Sequence, residues 1–223
     1  MQRDVGSLRS RDESLIATHS VLRNTYILLG CNLLFSALMA GIAVVTNAPP
    51  INIVLLLIGV YGLMFLTQAL RNSIWGLVSS FAFTGFMGYT LGPILNYYLT
   101  AFSNGSEIIM LSLGATGLIF FGLSGYVLTT RKDFSYMGGF LMILGMTGFL
   151  MMIAGLFFQV PALHLAVSAI FTLFASGLIM YQTSLIIHGG ERNYIMATIT
   201  LFVSIYNLFV SLLQIFGAFG GED

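Results

Sequence analysis

Charge is what this sequence has least of. Asp, Glu, Lys and Arg make up 7% of its 223 residues, and 57% are hydrophobic. A soluble domain carries about 25% charged residues. So little charge cannot cover a water-facing surface, and lipid is the expected solvent. The eight basic and eight acidic residues cancel, which leaves no positive excess for nucleic acid. A single cysteine, Cys31, excludes an internal disulfide and every dithiol motif. Its place in the first apolar run suggests a packing residue. His19, His164 and His188 stand far apart, without metal-ligand spacing or a completing acid, so no metal and no cofactor is expected. No nucleophile elbow, phosphate loop or HExxH pattern occurs. Nor does any Asp or Glu fall deep within an apolar run. Glu107 lies at the end of one, and Asp133 and Glu191 lie in breaks. Acid–base chemistry inside a bilayer would lack its acid, so the chain is expected not to be an enzyme.

What the sequence has in abundance is apolar length. A membrane helix needs about 20 mostly apolar residues, and seven such runs are present: Thr25–Val45, Ile51–Ala69, Ile74–Leu99, Glu107–Thr129, Tyr136–Phe158, Ala162–Ile187 and Ile195–Phe219. The predicted fold class is an all-α integral membrane protein. The fifth and sixth runs are separated only around Val160-Pro161. Proline suits the first turn of a new helix, where its missing N–H costs nothing. The basic residues test the count independently. Arg3, Arg9, Arg11 and Arg23 precede the first run, Arg71 follows the second, Arg131 and Lys132 the fourth, and Arg192 the sixth. All eight share one side of a seven-span chain. Positive residues favour the cytoplasm. Expected are a cytoplasmic tail over 1–24, a seven-helix domain over 25–219 and an external tail over 220–223. The polar, mixed-charge N-terminus does not look like a cleavable signal. Ser10 and Glu13 fit a capping box, which predicts a short helix before the first span; a frayed tail fits equally. Tyr26, Trp75, Tyr97, Tyr98, Tyr136 and Tyr194 fall at interfacial positions. Tyr61, Tyr89 and Tyr206 fall deeper, where hydroxyls are expected to find partners inside the bundle.

Polar residues inside the runs follow helical spacing. In the seventh, Thr200, Ser204, Asn207, Ser211 and Gln214 recur at steps of four and three, one face of a helix. Polar groups in lipid turn inward, so this helix is expected at the bundle centre. The sixth run carries His164, Ser168, Thr172 and Ser176, then Gln182 and Thr183 near its end. Close packing and bonding to the helix's own carbonyls is one reading of these residues; a solute or proton path is the other. In the third run Gly76, Gly85, Gly88 and Gly92 form a small face, with Gly88 and Gly92 in GxxxG spacing for close helix approach. Pro93 removes a backbone donor there and predicts a kink or an interruption.

Several segments resemble a known family. "GYTLGPILN" and "HGGERNYIMATITLFVSIYNLFVSLL" are similar to the transmembrane Bax-inhibitor-motif family. "THSVLRNTYILL", "YVLTTRKDFSYMGG" and "VPALHLAVSA" are similar to its bacterial YccA branch, and the likeness runs from Thr18 to Leu213. The resemblance implies a seven-helix bundle with a central last helix. In many members two aspartates, one on each of the last two helices, gate a calcium or proton pore. Matching through "MYQTS" and "LFVSIYNLF" puts them at Gln182 and Ser204, which are neutral and do not titrate. The pH-sensing carboxylate pair is therefore not expected, and calcium coordination is weakened. Arg71 corresponds either to the family's second-helix arginine or to an interfacial residue that snorkels. The resemblance also implies an inner-membrane partner and modulator of the FtsH membrane protease, with a cation leak as the alternative.

Overall fold

The computed structural model describes residues 2–158 and 160–220, with side chains described from His19 onward except Leu156. Seven helices follow one another: α1 (Gln2–Val45), α2 (Ile53–Leu70), α3 (Ile74–Ala101), α4 (Gly105–Thr130), α5 (Met137–Phe157), α6 (Pro161–Ile187) and α7 (Tyr194–Gly220). Each contains a stretch long and apolar enough to cross a membrane, the first over His19–Val45. Helices are what lipid demands, because every backbone N–H and C=O must be satisfied within its own segment. The break after α5 is real, and Pro161 opens α6 in its first turn.

Two helix ends show the local chemistry. The Asn52 side chain accepts the Val54 N–H at 2.9 Å and starts α2. Gly189, at φ +74°, turns the chain out of α6; only glycine takes that conformation freely.

The expected short N-terminal helix is not separate. α1 runs unbroken from Gln2 into the first span, so Ser10 lies within a helix and is no cap. Once the apolar span supplies a nucleus, extending a helix costs little. The side chains of Ser10 and Glu13 lie outside the described ones.

α7 is the axis. It packs against α1, α2, α3, α4 and α6, while among the described residues α5 packs on α6 alone. Of the spans, α3 and α7 are the most buried at 56% each, whereas α2 and α5 bury only 6% and 11%. Phe83 of α3 meets Phe202 of α7 edge to face, 6.2 Å between centroids, in the largest apolar cluster. Edge-to-face pairs are worth about 0.5–1.5 kcal/mol beyond the area they bury.

The glycine face of α3 is the seat of α1. A Cβ added at Gly85 would overlap the Phe35 ring, at Gly88 the Ser36 carbonyl, and at Gly92 the Ala43 side chain. Pro93 lies inside α3, which continues to Ala101 without interruption. Two side-chain expectations are corrected. Cys31 is exposed on α1 rather than packed. Tyr61 is 51% exposed, because peripheral α2 turns most of its circumference to lipid.

Candidate functional site

The last turns of α6 hold three buried polar residues in a row, Gln182, Thr183 and Ser184. They lie where α1, α7 and the α4–α5 connection converge. Thr183 Oγ1 is 3.3 Å from the Tyr26 hydroxyl of α1. Ser184 Oγ accepts the Phe134 N–H at 2.8 Å and lies 3.3 Å from His188 Nδ1. Ser184 is thus an anchor for the α4–α5 connection. Ser184→Ala strands a buried N–H, and the expected cost is about 1–3 kcal/mol. A lower thermal midpoint in detergent, with the helical content of the folded state unchanged, is the outcome to look for.

Asp133, beside this anchor and outside the spans, accepts the Ser135 N–H at 2.8 Å. That hydrogen bond, helped by the nearby His188, holds its carboxyl below the usual carboxylate range. A lowered value stabilises the fold above the ordinary carboxylate pKa, and the benefit disappears as pH falls through the lowered one.

Gln182 differs from its neighbours. It is 4% exposed, and its Nε2 has no partner among the described residues. Thr25 Oγ1 and Asn32 Oδ1 of α1 and Ser124 Oγ of α4 are likewise buried and unpaired. An unpaired group in an apolar surrounding costs several kcal/mol.

Ser204 is fully buried in α7, and its hydroxyl donates to the Thr200 carbonyl of its own helix at 2.8 Å. No hydrogen bond joins Gln182 to Ser204. Gln182 lies five residues from the end of α6, and Ser204 ten residues from the start of α7. The rise of about 1.5 Å per residue puts Ser204 the deeper of the two.

The rest of the α7 stripe behaves similarly. Thr200 donates to the Met196 carbonyl and Asn207 to the Val203 carbonyl, each one turn back. Ser211 is buried, Asn207 half-buried and Gln214 exposed. Gln214 Oε1 accepts from Ser168 Oγ of α6 at 2.6 Å. Ser176 is half-buried on α6.

Spacing did not reveal the other cross-helix pairs. Thr90 of α3 meets the Tyr206 hydroxyl of α7 at 3.1 Å. Asn32 of α1 donates to Ser80 of α3 at 3.5 Å. The polar loop after α6 is also joined by contacts. Asn193 Oδ1 accepts the Ile195 and Met196 N–H groups at the start of α7, and its Nδ2 donates to the Arg71 carbonyl at 2.9 Å. One side chain thus caps α7 and ties it to the α2–α3 connection. Among the described residues no group of three His, Cys, Asp or Glu side chains could hold a metal ion.

A neutral polar interior wrapped around a central last helix defines an all-α integral membrane protein whose spans carry charged residues, Arg23 and Glu107, only near their ends. The particular lineage follows from comparison. The chain belongs to the family described as inhibitor of apoptosis-promoting Bax1, whose family model matches residues 18–221. It is 54% identical over 223 residues to the "Modulator of FtsH protease YccA" of Escherichia coli K12, which covers all of both chains. An uncharacterized protein of Pseudomonas aeruginosa is 59% identical over 207 residues, 91% of each chain. An uncharacterized membrane protein of Vibrio cholerae is 40% identical over 212 residues, 95% of each chain.

Proposed function

We propose that this chain is a non-catalytic inner-membrane protein that binds an FtsH-type membrane protease and modulates, by inhibition, its action on membrane proteins. The observation that carries this reading is the 54% identity, end to end, with a protein named as a modulator of that protease. The chemistry of the interior supports it: away from their ends the spans hold hydroxyls and amides but no acid, so binding rather than proton transfer is the work open to the chain. The N-terminus is cytoplasmic and the C-terminus periplasmic in this reading. Its support is the clustering of Arg23, Arg71, Arg131, Lys132 and Arg192 at one set of span ends. The N-terminal part of α1 then projects toward the cytoplasm, and the scarcely buried α2 and α5 offer faces to partner helices. Crosslinking in native membranes followed by affinity capture of the full chain is expected to recover the protease. Recovery of no protease above an unrelated seven-span control would end this reading.

A second reading, a cation leak, has one observation in its favour: the unpaired polar atoms of Thr25, Asn32, Ser124 and Gln182 in the interior. Liposomes carrying the chain that pass neither protons nor calcium between about pH 5 and 8, the range of histidine titration, would remove it.

A further inference from the structure

α1 and α4 both lean on α7 and meet through the Tyr26 and Phe120 rings, 6.1 Å between centroids. Among the described residues, however, no Cα of one comes within 8 Å of a Cα of the other. The seam between them is hollow on both sides of the ring pair. Toward the middle of the spans lies a chamber of about 300 Å³, backed by α3 and α7, with Leu33, Ala37 and Gly41 of α1 facing Leu113 and Thr116 of α4. It opens sideways: Ala37, Gly41 and Leu113 are exposed, and a Cβ built on Gly41 meets nothing within 4 Å. Toward the basic end lies a wider hollow of about 690 Å³ lined by His19, Arg23, Tyr26 and Leu128.

Three physical arguments narrow what fills this seam. Water needs two to four polar partners, and the side chains of the chamber offer only the hydroxyls of Ser36, Thr116 and Tyr206, the last already paired with Thr90 at 3.1 Å. The Thr116 hydroxyl already donates to the Ser112 carbonyl at 2.7 Å. An empty chamber would forfeit dispersion contacts along its whole lining. A whole partner helix does not fit inside the chamber: a single turn, about 10 Å wide and 5.4 Å long, occupies about 420 Å³. A hydrocarbon chain fits.

The length also matches. Arg23 and Leu33 are ten residues apart on one continuous helix, a rise of about 15 Å. That is half of the hydrocarbon core of about 30 Å. A lipid whose phosphate stands at Arg23 therefore brings its tail to the chamber. The guanidinium supplies the planar donor fork that phosphate oxygens accept, and His19 stands beside it in the same hollow.

We propose that the α1–α4 seam is a binding site for one phospholipid. Its phosphate is held at Arg23 and His19, and one acyl chain runs past Tyr26 and Phe120 into the near half of the chamber, between Leu33 and Ala37. The site does not depend on the protease reading.

The test uses the full chain, reconstituted in bilayers of phosphatidylethanolamine and phosphatidylglycerol and re-extracted in mild detergent. Retained phospholipid is counted by native mass spectrometry. The expected result is one tightly held phospholipid per chain. Gly41→Trp, which fills the chamber, brings retention to background. Arg23→Gln lowers it about tenfold, as the loss of one charge-assisted hydrogen bond predicts. Gly62→Trp, at an α2 position that also faces open space, leaves retention unchanged. Equal retention by Gly41→Trp and Gly62→Trp would mean only annular lipid and would overturn the proposal. A photoreactive side chain introduced at Ala37 reads the occupant even if Gly41→Trp does not fold. A phospholipid adduct in native membranes that Arg23→Gln diminishes supports the site; a polypeptide adduct, or a lipid adduct that Arg23→Gln leaves unchanged, overturns it.

Discussion

Gly88→Ala and Gly92→Ala are each expected to lower stability by about 1–3 kcal/mol, the usual cost of forcing a methyl group into a closed contact. The double substitution is expected to lose most of the folded protein. At Gly88 the obstacle is the Ser36 carbonyl, and at Gly92 it is Ala43 with its backbone behind. Neither is the end of a flexible side chain, so α1 and α3 must separate. Separation undoes the neighbouring fit of Gly85 against the Phe35 ring and the Asn32–Ser80 hydrogen bond across the same interface. Because the two glycines share one interface, their effects are not expected to be independent. Gly62→Ala is the control. A Cβ there meets nothing, and alanine favours a helix by up to about 1 kcal/mol. Thermal unfolding followed by circular dichroism, with size-exclusion profiles for assembly, separates the cases. Unchanged midpoints for Gly88→Ala and Gly92→Ala would show that α1 does not seat on this face.

How much of this was legible beforehand differs by scale. The seven spans could be read because each is set by local composition: apolar length, a break, and charges at the ends. Pro161 was informative for the same reason, since its missing N–H matters only to its own helix. The GxxxG face could be recognised, but not its partner, because nothing local to Gly88 points to Ser36. The α7 stripe was legible as a face and less so as a buried one. A helix drifts about 20° per heptad from a 3.5-residue repeat, and by Gln214 the stripe has come out to an exposed position. Cys31 and Tyr61 went astray because hydropathy does not say which side of a lipid-bathed helix faces its neighbours. The anchoring role of Ser184 was hidden for another reason. Its partner is a backbone N–H of Phe134, and a backbone group leaves no mark in a sequence. The family resemblance singled out Gln182 and Ser204, and the structure adds their burial and the different ways in which their polar atoms are met.

Ser204→Asp is expected to have the other large effect, and the effect should depend steeply on pH. The wild-type hydroxyl is fully buried and donates to the Thr200 carbonyl. A protonated carboxyl can keep that donation, whereas a carboxylate is an acceptor only and faces an oxygen. The cost therefore attaches to the charged form. An acidic side chain at the centre of a span costs about 2.5–3.5 kcal/mol on insertion scales, and here the only Lys or Arg within a span, Arg23, lies near its end. The variant is expected to come nearest to wild type in acid, where the carboxyl keeps its proton and only the added volume costs stability, and to lose more as pH rises and the proton leaves. Ser204→Asn has similar volume and no charge, and is expected to show no such slope. Pairing Ser204→Asp with Gln182→Asp places two acids in the interior, one at each of the neutral positions. Liposome flux measured beside stability separates the two functional readings. If the wild type is silent and the double variant passes protons or calcium, the interior is a pore whose neutral side chains keep it closed. If both are silent while both still capture the protease, the polar interior serves packing, and binding at the outer faces is the function. Equal stability of wild type and Ser204→Asp at every pH would mean that water reaches Ser204, and the dry central helix would have to be given up.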